Sequence, residues 1–303
     1  HYLYALAEAS DRVSVPPYGK SYQGRPLLQV LVASPAHRAR LEDILDLNRE
    51  LTRPETSEAR AREIIRSNPA VVYLSYGVHG SESSSSEAAL WTAWDLARGA
   101  PDVAWVLDSV IVVIDPALNP DGRDRYVNEY RQLRGLVPNP DPATQEHDVR
   151  GGRGNHYGFD LNRDWAWATQ IETRQRLATW ERWNPQVHAD LHEMGSNSTY
   201  FFFPPAKPDN PLFPPPILEW AERIGAGNAE AFNREGWLYY TAQGFDLFYP
   251  GYGDSWPSLL GGIGMTYEQA GGGGAGMVVE REDGTLLTLK DRASHHWVAS
   301  KAT

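Results

Sequence analysis

The stretch VVYLSYGVHGSESSSSEAALW, residues 71–91, decides the fold class of this protein. It begins as a short apolar run rich in β-branched and aromatic residues, which predicts a buried strand. Gly77 ends this run, and the serine-rich segment that follows Glu82 opens a helical pattern that Gly99 stops. A buried strand followed at once by a helix is typical of an α/β protein with a parallel sheet.

The same alternation extends in both directions from this stretch. Further strands are predicted over 27–33, 109–116, 187–192 and 261–270, and helices over 39–52, 57–67, 169–183, 215–235 and 284–300. Residues 119–160 are rich in Asn, Pro, Asp, Gly and Arg, and we predict a long irregular loop there. The pattern predicts a three-layer α/β/α sandwich with a mostly parallel, mixed central sheet, in one domain over residues 1–303.

Composition excludes several classes of function. The 303 residues carry a formal net charge of -11, whereas a nucleic-acid-binding domain is expected to carry a basic face. No stretch approaches the roughly 18 apolar residues of a membrane-spanning helix. The absence of cysteine removes disulfide scaffolds, thiolate metal sites and cysteine nucleophiles, although it assigns no compartment.

An imidazole and a carboxylate, His79 and Glu82, follow the predicted strand at a spacing of three. In open α/β sheets ligands bind at the carboxyl ends of strands, and a catalytic zinc can be held by two histidines and one glutamate. A second histidine is therefore needed at another strand end. VHADLHEMGS, residues 187–196, offers His192 at the end of its predicted strand and His188 near the beginning, on the same face. The alternative for each is a buried structural histidine.

Six short motifs occur along the chain in this order: GKSYQGRPL (19–27), HGSE (79–82), NPDG (119–122), DLNR (160–163), ADLH (189–192) and TYE (266–268). With these motifs the chain resembles the zinc metallocarboxypeptidases of the carboxypeptidase A-like clan over almost its whole length. Each motif is unspecific by itself, but six of them in this order are a specific signal.

The resemblance implies one zinc ion held by His79, Glu82 and His192, with water in the fourth position. It implies that Asp160 accepts the other ring proton of a ligand histidine and so fixes its tautomer. Glu268 would be the general base that takes a proton from the zinc-bound water and later passes it to the leaving amine. A turn-forming role for Asp160 and a solvated strand end for Glu268 are the plainer alternatives.

For the substrate, the resemblance implies that Arg163 binds the terminal carboxylate, with Asn162 beside it, because a guanidinium group matches a planar carboxylate. The tyrosine that folds over bound substrate in the family best matches Tyr249, with Tyr252 as a close competitor. Plain aromatic packing is an alternative for both tyrosines.

The family also uses an arginine to stabilise the oxyanion that develops on the attacked carbonyl. Ungapped counting from NPDG lands on Arg134. Other arginines of the same segment compete for this role, namely Arg131, Arg123 and Arg125.

Three residues depart from the family pattern. Glu193 follows His192 where the digestive enzymes have a small hydroxylic residue, a feature that also resembles the related zinc deacylases of the clan. Asp164 replaces a common Asn beside Arg163, where an acid would disfavour acidic substrates. Trp256 falls in the segment that lines the specificity pocket, where its bulk disfavours a deep aromatic slot. The substrate is therefore open at this point.

The leading prediction is a metallocarboxypeptidase that acts on a peptide or small amide with a free carboxylate. The alternative is a zinc-dependent amidohydrolase or deacylase acting on acyl amino acids or cell-wall peptides, and a non-catalytic binding module is a third option. A serine hydrolase built on the serine run is disfavoured because the run lacks a G-x-S-x-G elbow. We favour a secreted or periplasmic location. Since residue 1 is His and the last predicted helix stops abruptly at Thr303, we also expect a longer parent chain.

Overall fold

The computed structural model describes residues 1–144 and 151–303 of the chain. In these ranges the helices are α1 Tyr2–Ala9, α2 Pro35–Ala39, α3 Leu41–Glu50, α4 Glu58–Ser67, α5 Ser83–Arg98, α6 Pro120–Leu133, α7 Ile171–Trp183, α8 Pro216–Glu235, α9 Ser255–Leu259 and α10 Leu289–Ala302. The strands are β1 Val13–Ser14, β2 Pro17–Lys20, β3 Pro26–Leu28, β4 Val30–Val32, β5 Ala70–Tyr76, β6 Val110–Asp115, β7 Val187–Gly195, β8 Tyr200–Phe201, β9 Ala206–Asp209, β10 Asp246–Leu247, β11 Ile263–Gly271, β12 Val278–Glu280 and β13 Leu286–Thr288.

Seven of these strands form the central sheet, in the order β1-β4-β6-β5-β7-β11-β8. The four middle strands, β6, β5, β7 and β11, run parallel to one another, whereas β1, β4 and β8 pair antiparallel at the two sides. The predicted α/β fold with a mixed central sheet is therefore confirmed. The parallel strands all end at one edge of the sheet, where ligand sites of open α/β sheets are found.

Apolar side chains cover both faces of the sheet, as the runs without polar alternation predict. On β5, Val71 and Tyr73 belong to a core that also contains Trp180 and Trp183 of α7. Leu74 and other side chains of the opposite face belong to a larger core, to which α1, α5, α8 and α10 contribute. Helices thus lie on both sides of the sheet and complete the three layers.

Three predicted segments differ in the structure. Residues 119–160 do not form one long irregular loop, because α6 occupies 120–133. The side chain of Asn119 accepts a hydrogen bond from the Gly122 N–H at 2.9 Å, and Pro120 occupies the first turn of the helix. Both are strong helix-start signals, which the polar composition of the segment obscures.

The last helix begins at Leu289 rather than near residue 284. Residues 278–288 instead form the antiparallel pair β12–β13. Thr288 and Asp291 then make a reciprocal capping box that starts α10. The predicted strand over 27–33 is divided between β3, which pairs with β2 in a separate sheet, and β4 of the central sheet. The other predicted strands and helices are found within a few residues of their expected positions.

The turn between β5 and α5 lies against the start of α6. Gly77 has a φ of +65°, in the left-handed region that favours glycine. A Cβ atom on Gly80 would lie only 2.0 Å from the Arg123 backbone nitrogen, so this position requires glycine as well. The close approach holds His79 and Glu82 at the carboxyl edge of the sheet.

Among the described residues, no helix has the length and apolarity needed to cross a membrane.

Candidate metal centre and active site

His79, Glu82 and His192 come together at the carboxyl edge of the sheet, and all three are buried. One ligand atom from each of them can be chosen so that all lie within 4.8 Å of one another. Nδ1 of His79 is 2.7 Å from Oε1 of Glu82, and Nδ1 of His192 is 3.2 Å from Oε2 of the same carboxylate. Two imidazoles and a carboxylate are a known donor set for catalytic zinc, so these residues fit that metal.

Each histidine also directs its other ring nitrogen toward a carboxylate. Nε2 of His79 lies 2.9 Å from Oδ1 of Asp160. Nε2 of His192 lies 3.0 Å from Oδ2 of Asp190, but the N–H does not point at this oxygen, so the contact is one of charge rather than a hydrogen bond. The hydrogen bond places Asp160 to fix the tautomer and orientation of His79, as carboxylates do behind metal-binding histidines. Asp190 was missed by sequence reasoning, although the two-residue period of a strand places it on the same face as His192.

Interactions between the charged groups of this cluster offset the free-energy cost of burying them. Burial alone would raise the pKa of Glu82, but His79 and His192 lower it below its ordinary value. Burial would lower the pKa of His192, but the neighbouring Asp190 carboxylate raises it well above the usual range. A bound cation would therefore compete with a proton for His192.

Glu268 lies beside the three candidate ligands because β11 pairs with β7 in register. Glu268 is the direct neighbour of His192 across this parallel pair. Its side chain is buried and lines the pocket together with Thr266, two residues earlier on the same strand face. Burial raises the pKa of Glu268 to about 8. A carboxyl group with this pKa can exchange a proton near neutral pH.

The predicted substrate-binding residues Asn162 and Arg163 also line this pocket, which has a volume of about 300 Å³. Asn162 accepts a hydrogen bond from the Gly253 N–H at 2.9 Å, which orients its side chain. The Arg163 guanidinium lies over the ring of Tyr252, 4.6 Å from the ring centre, and its nearest carboxylate oxygen, on Asp160, is 3.8 Å away. Arg163 therefore has donors available for an anionic group in the pocket.

The structure does not bring Arg134 to the pocket. Arg134 lies at the C-terminal end of α6 and is exposed, as is Arg131. Arg153 lines the pocket instead. Its guanidinium pairs with Asp160 at 2.8 Å and lies 3.6 Å from Glu82. Ungapped counting from NPDG does not reach a pocket-lining arginine, because residues 120–133 form α6 and Arg134 lies exposed at its end.

Of the two candidate tyrosines, Tyr252 lines the pocket and Tyr249 does not. The Tyr249 hydroxyl accepts a hydrogen bond from the Trp167 indole at 2.7 Å, and its ring packs edge-on against Tyr252. Trp256 packs against the core that contains Trp180 rather than lining the pocket. Its bulk therefore does not fill this pocket.

The side chains of Asp164 and His188 make contacts that stabilise the fold and lie outside the pocket. The carboxylate of Asp164 accepts hydrogen bonds from the backbone N–H groups of Thr169 and Gln170, both at 2.9 Å, so it is directed toward the start of α7 and does not line the pocket. His188 contacts Ser75 at 3.0 Å and the Trp180 indole at 2.9 Å inside the core. It is the buried structural histidine of the pair in VHADLH.

A three-ligand cluster, a buried carboxylate and two arginines in one pocket are typical of metal-dependent hydrolases. Comparison with known proteins identifies the family. The sequence model of the zinc carboxypeptidase family matches residues 1–202, and the chain belongs to this family. The match includes His79, Glu82 and His192, whereas Glu268 lies beyond it.

Curated relatives include the probable carboxypeptidase 2 of Arthroderma benhamiae and that of Trichophyton verrucosum, each 27% identical over 129 residues. The matched segment covers 43% of this chain and 20% of each fungal protein. The match therefore spans about a fifth of the length of these relatives.

Solved structures share the fold. A metallo-carboxypeptidase from Burkholderia cenocepacia has a TM-score of 0.64 at 17% identity. The alignment covers 99% of this chain and 66% of the Burkholderia chain. A Pseudomonas aeruginosa metallo-carboxypeptidase, solved in complex with (2-guanidinoethylmercapto)succinic acid, has a TM-score of 0.64 at 16% identity with the same coverage. The carboxypeptidase A of Helicoverpa armigera has a TM-score of 0.62 at 16% identity, covering 99% and 69%.

The candidate metal centre predicts different outcomes for the two histidines of β7. His192→Ala should remove most bound zinc while circular dichroism shows a retained fold, because two ligands remain where three are needed. His188→Ala, the matched control on the same strand face, should lower the unfolding temperature but keep one zinc per chain. Zinc content after dialysis is the measurement. Full zinc retention in His192→Ala would refute the ligand assignment.

The raised pKa of Glu268 predicts a pH-dependent stability difference in the metal-free protein. Between its ordinary value of 4.5 and about 8, the folded state keeps a proton that the unfolded state releases. The contribution of Glu268 to stability therefore falls as pH rises through this window, by at most about 1.4 kcal/mol per pH unit. Glu268→Gln lacks this slope, so its advantage in unfolding free energy should grow from pH 5 to pH 8. A constant difference between the two proteins in denaturant titrations across this window would contradict the raised pKa.

Proposed function

We propose that the protein is a zinc-dependent carboxypeptidase that removes C-terminal residues from peptides. The observation that carries this proposal is the arrangement of one pocket. The cluster of His79, Glu82 and His192, the buried Glu268 and the guanidinium groups of Arg153 and Arg163 all face it. Family membership supports the reaction class, and the residues support the position of each chemical role.

Arg163 and Asn162 would hold the terminal carboxylate of the substrate. The planar guanidinium of Arg163 is fixed by its stacking on Tyr252 and can donate two parallel hydrogen bonds to a carboxylate. Because this anchor recognises a chain end, it favours an exopeptidase over an enzyme that cleaves within a chain.

Glu268 would act as the general base, since its carboxylate faces the pocket beside His192. It would accept a proton from the attacking water and pass it to the leaving amine. Bound zinc would supply a Lewis acid for the scissile carbonyl, and its positive charge would favour the ionised form of Glu268.

Arg153, rather than Arg134, would donate hydrogen bonds to the oxyanion of the tetrahedral intermediate. Its guanidinium lies between Asp160 and the candidate ligands, where it lines the pocket. Asp160 would thus orient both His79 and Arg153, because its two oxygens contact one of them each.

A peptide library with free and amidated C-termini tests the proposed reaction. We expect mass spectrometry to show loss of single C-terminal residues from free-ended peptides only. An amidated C-terminus carries no negative charge and cannot form an ion pair with the Arg163 guanidinium. Chelator should abolish the loss, and Glu268→Gln should keep zinc but lose turnover. Cleavage of amidated peptides at the same rate would contradict the anchor. No cleavage by zinc-loaded protein would instead favour the small-substrate deacylase, to be tested with acyl amino acids and muropeptides.

The role of Arg153 predicts a contrast between two arginine variants. Arg153→Ala should lower kcat by about 10²–10³-fold, the typical effect of removing one oxyanion donor. Arg134→Ala should leave kcat and KM at wild-type values because this side chain is exposed at the end of α6. Zinc content, measured in parallel, separates a lost donor from a lost metal. Equal effects of the two substitutions would contradict the assignment.

A further inference from the structure

Glu82 occupies the N-cap position of α5 but does not cap it. Residues at this position usually accept a hydrogen bond from the first N–H groups of the helix. The Glu82 side chain makes no such bond, because its two oxygens face Nδ1 of His79 and Nδ1 of His192. The buried N–H of Ser84, at the start of α5, therefore needs another acceptor.

Glu193 supplies that acceptor from a different element. Its Oε1 accepts a hydrogen bond from the Ser84 N–H at 2.6 Å, and the Ser84 hydroxyl donates to the same oxygen. Its own backbone N–H donates to Oε2 of Glu82 at 2.9 Å. Glu193 directly follows His192 on β7, so one residue touches the start of α5, the carboxylate of Glu82 and the strand that carries the second histidine.

Arg292 of α10 balances the charge of Glu193. Its Nη1 lies 2.8 Å from Oε2 of Glu193, and both side chains have 0% exposure. Burying a charged group away from water costs free energy unless the group is ion-paired and hydrogen-bonded, and the side chains of Glu193 and Arg292 meet both conditions. Arg292 also donates to the Gly276 carbonyl in the glycine-rich loop after β11. The pair therefore joins α5, β7, α10 and this loop behind the candidate metal centre.

The space around the pair is closed. A Cβ atom on Gly271 would lie 2.6 Å from Oε2 of Glu193 and 2.7 Å from Cδ of Arg292. Glycine at the end of β11 therefore leaves room for the pair and for nothing larger. A side chain at position 271 would therefore displace the pair.

We propose that Glu193, held by Arg292, is a positioning residue that caps α5 in place of Glu82 and so leaves the Glu82 carboxylate free to face the two histidines. The inference rests on the proposed function, because it assigns the cluster of His79, Glu82 and His192 to a metal. Without Glu193, the N–H of Ser84 competes with the metal for the same carboxylate. Glu193 is among the residues that line the pocket, but its side chain has no exposure, so the acid at position 193 belongs to the metal centre and not to substrate binding.

The test is the zinc dissociation constant of variants, measured by competition with a chelator, together with the visible absorption spectrum of the cobalt(II)-substituted protein. Glu193→Ala should raise the dissociation constant by about 10–100-fold, as other changes behind metal ligands do. It should also change the cobalt spectrum, because the position of Glu82 changes. Arg292→Met, which leaves Glu193 without its cation, should weaken zinc binding in the same direction.

Leu107→Ala is the matched control. Leu107 is buried in the turn that precedes β6, at the opposite edge of the sheet from the cluster. This substitution should lower the unfolding temperature and leave both the zinc dissociation constant and the cobalt spectrum unchanged. A change of the metal centre through general destabilisation would appear in this control as well.

A folded Glu193→Ala protein with wild-type zinc affinity and cobalt spectrum would overturn the positioning role. If Glu193→Ala does not fold, an unchanged dissociation constant and spectrum in Arg292→Met overturn it. Glu82→Gln separates this failure from failure of the metal centre. Zinc loss in Glu82→Gln with unchanged binding in Glu193→Ala removes the positioning role alone, whereas wild-type zinc binding in Glu82→Gln overturns both assignments.

Discussion

The buried carboxylate of Glu82, placed between two imidazoles, is the interaction on which the rest of the site depends. Burial disfavours its charge, and the nearby His79 and His192 compensate. Asp160 and Asp190 lie behind those rings and balance them in turn. The result is a cluster in which carboxylates and imidazoles alternate, and a divalent cation can bind at its centre, because each histidine presents Nδ1 there.

Strand pairing sets the geometry of this alternation. His192 and Glu268 are neighbours because β7 and β11 pair in parallel along nine residues of each strand. A shift of one residue in this register would turn Glu268 to the other face of the sheet. The same register buries the apolar side chains of both cores, so the position of the proposed base is stabilised by the whole sheet and not by local contacts alone.

The structure was predictable from the sequence where the candidate site residues lie in a segment with a clear local pattern of strand, turn and helix. The strands and helices around the HGSE motif were predictable because a buried strand, a glycine turn and a helix follow one another within 30 residues. Sequence reasoning failed where long-range contacts decide. Arg153 reaches the pocket through a segment whose path cannot be read from spacing, and Arg292 meets Glu193 across 99 residues of chain. Helix α6 was missed for a different reason, because its capping residues are also typical loop residues.

The order of the strands has a consequence for how the protein is made. β11 lies between β7 and β8 in the sheet, although it follows both of them in the chain by more than 60 residues. During synthesis the three candidate ligands leave the ribosome before residue 268 does, and the outer edge of β7 stays open until β11 arrives. A nascent chain can therefore possess the candidate metal-binding groups and still lack the proposed proton acceptor. The proposed site is complete only after residues 263–271 have been synthesised, because the strand that pairs with β7 is the one that brings Glu268 into place.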